Sequence, residues 1–180
     1  MKILTILRHA KSSWDDPVAR DFDRGLNARG ERAANAVGKA AARQSLAVDS
    51  IISSPAVRCV ETLDQFQPIA GLGHLEPHWD RRVYLASSAT LLDILKERPP
   101  SEDHVLLCGH NPGLEDLILD LVPDDGRSPL RDVVDAKLPT AALATLLCTI
   151  DDWSGLNLGC ADLTALVLPR DLDPALGPEN

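Results

Sequence analysis

The sequence predicts an α/β fold, a three-layer α/β/α sandwich with a mostly parallel central sheet. Three observations carry this reading. Short apolar runs rich in β-favouring residues recur at residues 2–7 (KILTIL), 48–53 (VDSIIS) and 104–108 (HVLLC). Stretches with helix-start signals lie between them. Alternation of the two element types favours parallel strands joined by crossover helices.

The elements follow in order. Residues 2–7 form a buried strand that ends at charged Arg8-His9, and residues 12–25, with Pro17 and Gly25, form a polar surface loop. Asn27 caps a helix over 28–44, whose alanines suit close packing on a sheet. After the strand at 48–53, Ser54-Pro55 gives a cap followed by proline and opens a helix over 55–66. Residues 67–78 are irregular, with a short strand near 75–77, and a helix over 89–97 is stopped by Pro99-Pro100. Asn111-Pro112 repeats the cap-plus-proline signal and opens a helix to about Leu121. A charged loop over 123–138 precedes strands at 141–150 and 162–168, and a Pro-rich tail over 169–180 is expected to be loosely packed.

The chain has 180 residues, so one domain over 1–180 is expected. Aromatics make up only 3% of it, and the core must come from Ala, Val, Leu and Ile. A net charge of -9 excludes a cationic nucleic-acid footprint and disfavours anionic membranes. An anionic substrate then requires a locally positive pocket, which makes clustered arginines the feature to look for. Cys59, Cys108, Cys148 and Cys160 form no C-x-x-C pair, and no secretory leader is expected, since only five apolar or neutral residues separate Met1-Lys2 from Arg8-His9. Free thiols in a reducing cytoplasm are the expectation. The remaining histidines, His74, His78 and His104, lack ligand spacing, and no metal site is expected. A monomer or weak dimer is the expected state.

Reactive residue types stand just after the strands: Arg8-His9, then Ser53-Ser54 and Arg58, then His110. In parallel sheets, ligands bind beyond the carboxyl ends of the strands. Arg8-His9 alone could be an ion-pairing site at a strand end. Three strands delivering two histidines and two arginines to one edge suggest a phosphoryl site instead. A phosphoryl group carries about two negative charges near neutral pH, and guanidinium groups bind it through forked, charge-assisted hydrogen bonds. Arg8 and Arg58 can form that clamp. His9 can attack phosphorus if its other ring nitrogen holds the proton. His110 can stabilise charge on the equatorial oxygens. Asp80 and Glu76 are the candidate proton donors for the leaving group.

These residues lie in four ordered motifs: Leu7 to Asp15 (LRHAKSSWD), Asp23 to Gly30 (DRGLNARG), Ser53 to Thr62 (SSPAVRCVET) and Gly109 to Glu115 (GHNPGLE), followed by Leu138 to Ala142 (LPTAA). In them the sequence resembles the histidine phosphatase superfamily, which includes the cofactor-dependent phosphoglycerate mutases, and most of all its SixA-type phosphohistidine phosphatases. The resemblance implies a phosphoglycerate mutase-like fold and a phosphatase without a cofactor. By the resemblance, His9 is the phosphorylated histidine, Arg8 and Arg58 bind phosphate, and His110 is the second histidine. Ser12 falls where the mutases often place a phosphate-contacting serine, and Asp15 where they often have asparagine. Ala10 replaces the usual glycine. The segment between Arg58 and His110 is short and leaves no room for a large cap domain. An uncapped site suits a phosphohistidine borne by a partner protein. The alternatives are a phosphatase or mutase of small phosphate esters, and a non-catalytic phosphate-binding module.

Overall fold

The computed structural model describes residues 1–17 and 19–178. Its strands are β1 (Lys2–Arg8), β2 (Ser50–Ser53), β3 (His78–Trp79), β4 (His104–Gly109), β5 (Leu143–Cys148) and β6 (Ala161–Val167). Its helices are α1 (Ala28–Arg43), α2 (Val57–Ala70), α3 (Ser88–Lys96), α4 (Gly113–Leu121), α5 (Pro129–Ala136) and the single turn α6 (Pro169–Leu172). The strands form one sheet in the order β3-β2-β4-β1-β5-β6. The pairs β3·β2, β2·β4 and β4·β1 are parallel, and β5 and β6 close the other side antiparallel.

Strand periodicity divides the core in two. Leu4 and Ile6 of β1 and Val105 and Leu107 of β4 face one apolar cluster, completed by Leu91 and Leu95 of α3 and Leu114 and Leu117 of α4. Leu7, Leu106 and Cys108 face the other, against Ala33, Val37 and Ala41 of α1 and Leu63 and Phe66 of α2. Alternate residues point to opposite faces of a strand, so each strand serves both layers. The scarcity of aromatics is met by small side chains, which let α1 lie close to the sheet. Cys59, Cys108 and Cys148 are fully buried and all four cysteines are free thiols. Among the described residues no helix is long and apolar enough to cross a membrane, and no His, Cys, Asp and Glu group could hold a metal.

Several element boundaries differ from the sequence reading. Asn27 caps α1 as expected, its side chain accepting from Gly30 N–H at 2.8 Å. Ser54-Pro55 does not start a helix. α2 begins only at Val57, with Ala56 as the residue before its first turn. Asn111 is not a cap either, because its amide is drawn to Leu138 O and Glu115. The supposed loop at 123–138 holds α5, opened by Ser128, which accepts from Arg131 N–H, and by Pro129. The short strand lies at His78–Trp79, where it pairs with the end of β2. The tail at 169–178 forms α6 and a 3-10 turn over Pro174–Leu176; Leu176 packs against the cluster under α1, while most of the segment is exposed. Its last two positions, 179 and 180, lie outside the described residues.

Gly30 fits where no side chain can. A Cβ there would lie 2.1 Å from the carbonyl oxygen of Lys11, which also accepts from Asn27 N–H. This contact seats α1 against the segment that follows β1. Gly30→Ala is expected to destabilise the protein by about 1–3 kcal/mol in urea unfolding, since backbone rather than a flexible side chain must yield.

Candidate active site

Register brings the site together. Arg8 of β1 pairs with Gly109 of β4, and Ser53 of β2 with Cys108 of β4. His9 N–H then bonds Gly109 O, and Ser54 N–H bonds Cys108 O. The residues that follow three adjacent parallel strands are thereby level with one another. The rings of His9 and His110 have centroids 5.2 Å apart. Arg58, in the first turn of α2, places Nε 3.4 Å from His9 Nε2. These side chains line an open cavity of about 390 Å³, together with Lys11, Ser12, Trp14, Asp21 and Arg24.

His9 is set up as a neutral imidazole with a defined tautomer. Its Nδ1 lies 2.7 Å from Ala10 O, which can only accept, so Nδ1 carries the proton. Nε2 keeps its lone pair toward Arg58. Burial pushes the His9 pKa down to about 3; the Ala10 carbonyl works against this, and the nearby His110, Arg58 and Arg8 add to it. Burial likewise takes His110 to about 3, with Arg58 and Arg8 adding and Asp21 opposing. His110 Nε2 lies 2.8 Å from Ser54 Oγ. Ser54 Oγ already accepts from Ala56 N–H, so its own hydrogen is available to His110 Nε2. The sequence reading gave Ser54 only a capping role; its bond to His110 comes from β2–β4 register.

The arginines are held from behind. Arg8 donates through Nη1 to Leu138 O, while its Nε is buried without a partner, as is His110 Nδ1. Buried donors without partners are rare, and these two border one cavity. Arg58 donates Nη1 to Asp21 O and Nη2 to Asp21 Oδ2, which turns Nε toward His9.

Asp21 was not among the sequence candidates. It sits in a 3-10 turn (Asp21–Asp23) within the 12–25 segment, with no pattern to mark it. Its carboxylate accepts from Arg58, from Arg24, and from Tyr84 Oη at 2.6 Å. Partial burial works against its charge, but the bonds from Tyr84, Arg24 and Arg58 outweigh it and hold the pKa well below the usual carboxylate range. Arg24 therefore pairs with Asp21, not with Asp23 as adjacency suggests; Asp23 pairs with Arg20.

Ser12 lines the cavity and accepts from Arg24 Nη1 at 2.6 Å. Trp14 is 72% exposed at the rim, beneath the Arg24 guanidinium. Asp15 lies outside the cavity lining. Asp80 is drawn elsewhere: Arg82 grips its carboxylate, with Oδ2 at 2.7 Å from Nη2, and this bond, opposed by burial, lowers its pKa. Neither Asp80 nor exposed Glu76 lines the cavity. Asp21 is the one acidic residue among the described residues that do.

An α/β sheet carrying a paired histidine and arginine site at its strand ends defines a class of phosphoryl-transfer enzymes. Residues 4–82 match the model of the histidine phosphatase superfamily, branch 1. An uncharacterised protein of Mycobacterium tuberculosis is 30% identical over 165 residues, covering 91% of this chain and 100% of the relative. A SixA structure from Agrobacterium tumefaciens is 30% identical, with a TM-score of 0.78 over 93% of this chain and 98% of that one. Its counterpart from Nakamurella multipartitia is 25% identical, with a TM-score of 0.77 over 93% and 96%. The chain belongs to the histidine phosphatase superfamily, as a member of its SixA type, and is a phosphatase.

Both site imidazoles are expected to stay neutral far below the ordinary histidine range. In a 15N NMR titration, His9 and His110 should show neutral shifts down to about pH 4, with the proton on Nδ1 in each. Protonation of either ring near pH 6.5 would contradict the burial argument.

Proposed function

We propose that the enzyme hydrolyses phosphohistidine on a partner protein through a covalent intermediate at His9. The observation that carries this is the cavity's lack of a proton donor. Asp21, the one carboxylate among the described lining residues, is ion-paired and ionised. An alcohol leaves as a strongly basic alkoxide unless an acid protonates it. A phosphohistidine ring differs, because imidazole titrates near neutrality, with a pKa of about 6.5. When its free nitrogen carries a proton, it departs as neutral imidazole and needs no acid from the enzyme.

The roles follow from the geometry. Arg8, with its unpartnered Nε, and Arg58 take the phosphoryl oxygens, and Ser12 lies at the same wall. His110 Nδ1–H donates to an equatorial oxygen, with Ser54 Oγ–H fixing that tautomer from the far side. The His9 Nε2 lone pair attacks phosphorus as the substrate's P–N bond breaks, and its electrons return to the departing ring. Water then attacks phospho-His9, the new P–N bond breaks toward Nε2, and inorganic phosphate leaves. Arg58 Nε, which contacts His9 Nε2 in the free protein, is free to turn to the phosphoryl group once the lone pair is engaged. The open cavity suits a phosphoryl group presented from another protein's surface, and the four unpaired cysteines fit a reducing, cytoplasmic setting.

His9→Ala is expected to abolish turnover of a phosphohistidine protein and the acid-labile phosphoenzyme trapped on rapid quenching. Full activity in that variant would falsify the covalent route. Arg58→Ala should lower kcat/KM by about 10²–10³-fold. Phosphohistidine should be hydrolysed much faster than sugar phosphates or phosphoglycerate, and a reversed preference would point to small esters.

A further inference from the structure

A second concavity of about 460 Å³ adjoins the catalytic cavity and shares Arg8, Lys11 and Thr140 with it. Four separate segments bring cations to it. Arg8 and Lys11 come from the end of β1, Arg29 from the first turn of α1, Lys137 from the residue after α5, and Arg170 from α6. No acidic residue is among the described residues that line it. Lys11, Lys137 and Arg170 have no carboxylate within ion-pair distance among the described residues. This concentration of positive charge stands in a chain of net charge -9. Like charges held together repel, so the three cations Lys11, Lys137 and Arg170, brought to one groove of an acidic protein, call for an anionic occupant.

We infer that this groove docks an acidic polypeptide segment that flanks the phosphorylated residue of the substrate protein. The inference rests on the phosphohistidine reading and names the partner's chemistry. Two features favour a peptide over a compact polyanion. Lys11, Lys137 and Arg170 are exposed and reach the groove from different segments, as suits a run of carboxylates. The lining also includes Ala33, Pro139 and Leu176, apolar residues that can take the aliphatic parts of an extended chain. Continuity through Arg8 sets the order: a phosphoryl group at His9 places the residues beside it in the groove. Contacts of this kind steer encounter and select partners, and they weaken with salt.

The test uses the full chain and the double variant Lys137→Glu, Arg170→Glu, neither residue being part of the catalytic site. A short labelled peptide of alternating Glu and Ala, without phosphate, should bind the native protein by fluorescence anisotropy and weaken as salt rises. Its Gln counterpart should not bind. The variant should lose at least about tenfold in affinity while hydrolysing p-nitrophenyl phosphate as before. With an acid-flanked phosphohistidine peptide, KM should rise and kcat hold. Equal binding of the Gln peptide, or binding indifferent to the charge reversal, overturns the inference. Inorganic tripolyphosphate binding more tightly than the Glu peptide, and lost in the same variant, overturns it in favour of a small polyanion. If the Glu peptide behaves as expected and no phosphohistidine peptide is hydrolysed, the docking groove stands and the proposed substrate falls.

Discussion

Parallel pairing of β1, β4 and β2 in one register is the constraint on which the rest of the molecule depends. It places the residues after three strands at one level, so that His9, His110 and Ser54 are neighbours despite their separation in sequence. Those residues leave the ladder where β strands give way to loops; His9 and His110 project past the sheet edge into one cavity, and buried Ser54 backs His110. The two apolar layers hold the strands rigidly in place, since a slip of one residue would exchange the faces of every side chain. The geometry of the candidate site thus borrows its precision from core packing, including the close seating of α1 that glycine at position 30 permits.

Within that frame the site has an electrostatic problem to solve. Two arginines and two imidazoles crowd around a cavity meant for an anion. Burial keeps both rings neutral, which removes two positive charges and leaves a lone pair on His9 Nε2. Asp21 supplies the opposing charge from behind, taking both terminal nitrogens of Arg58 and sharing its other oxygen with Arg24. Its position matters more than its charge alone. By holding the guanidinium at its tips, it leaves Nε as the face shown to His9. The same engagement holds Asp21, the one acid among the described lining residues, in its ionised form.

Helix starts show where local chemistry speaks for itself and where it is overruled. Asn27 and Ser87 cap α1 and α3 through bonds confined to a few residues, so their signals are readable in sequence. Ser128-Pro129 is an equally sound signal, hidden in a charged stretch that reads as loop. Ser54-Pro55 and Asn111-Pro112 carry the same pattern without capping a helix. At both places the polar side chain is claimed by a distant partner, His110 for Ser54 and Leu138 O for Asn111. Both lie at the candidate site, where tertiary contacts override the local helix-start signal.

By itself the sequence determined the alternation of strands and helices and the sandwich class, and it singled out four candidate residues, His9, Arg8, Arg58 and His110, that line one cavity, because apolar periodicity and strand-end motifs are local signals. The tertiary structure alone decided that Asp21 grips Arg58, that Asp80 is turned to Arg82, and that a cationic groove runs beside the cavity. Those facts depend on which distant side chains come within hydrogen-bond reach, and no spacing along the chain records that distance.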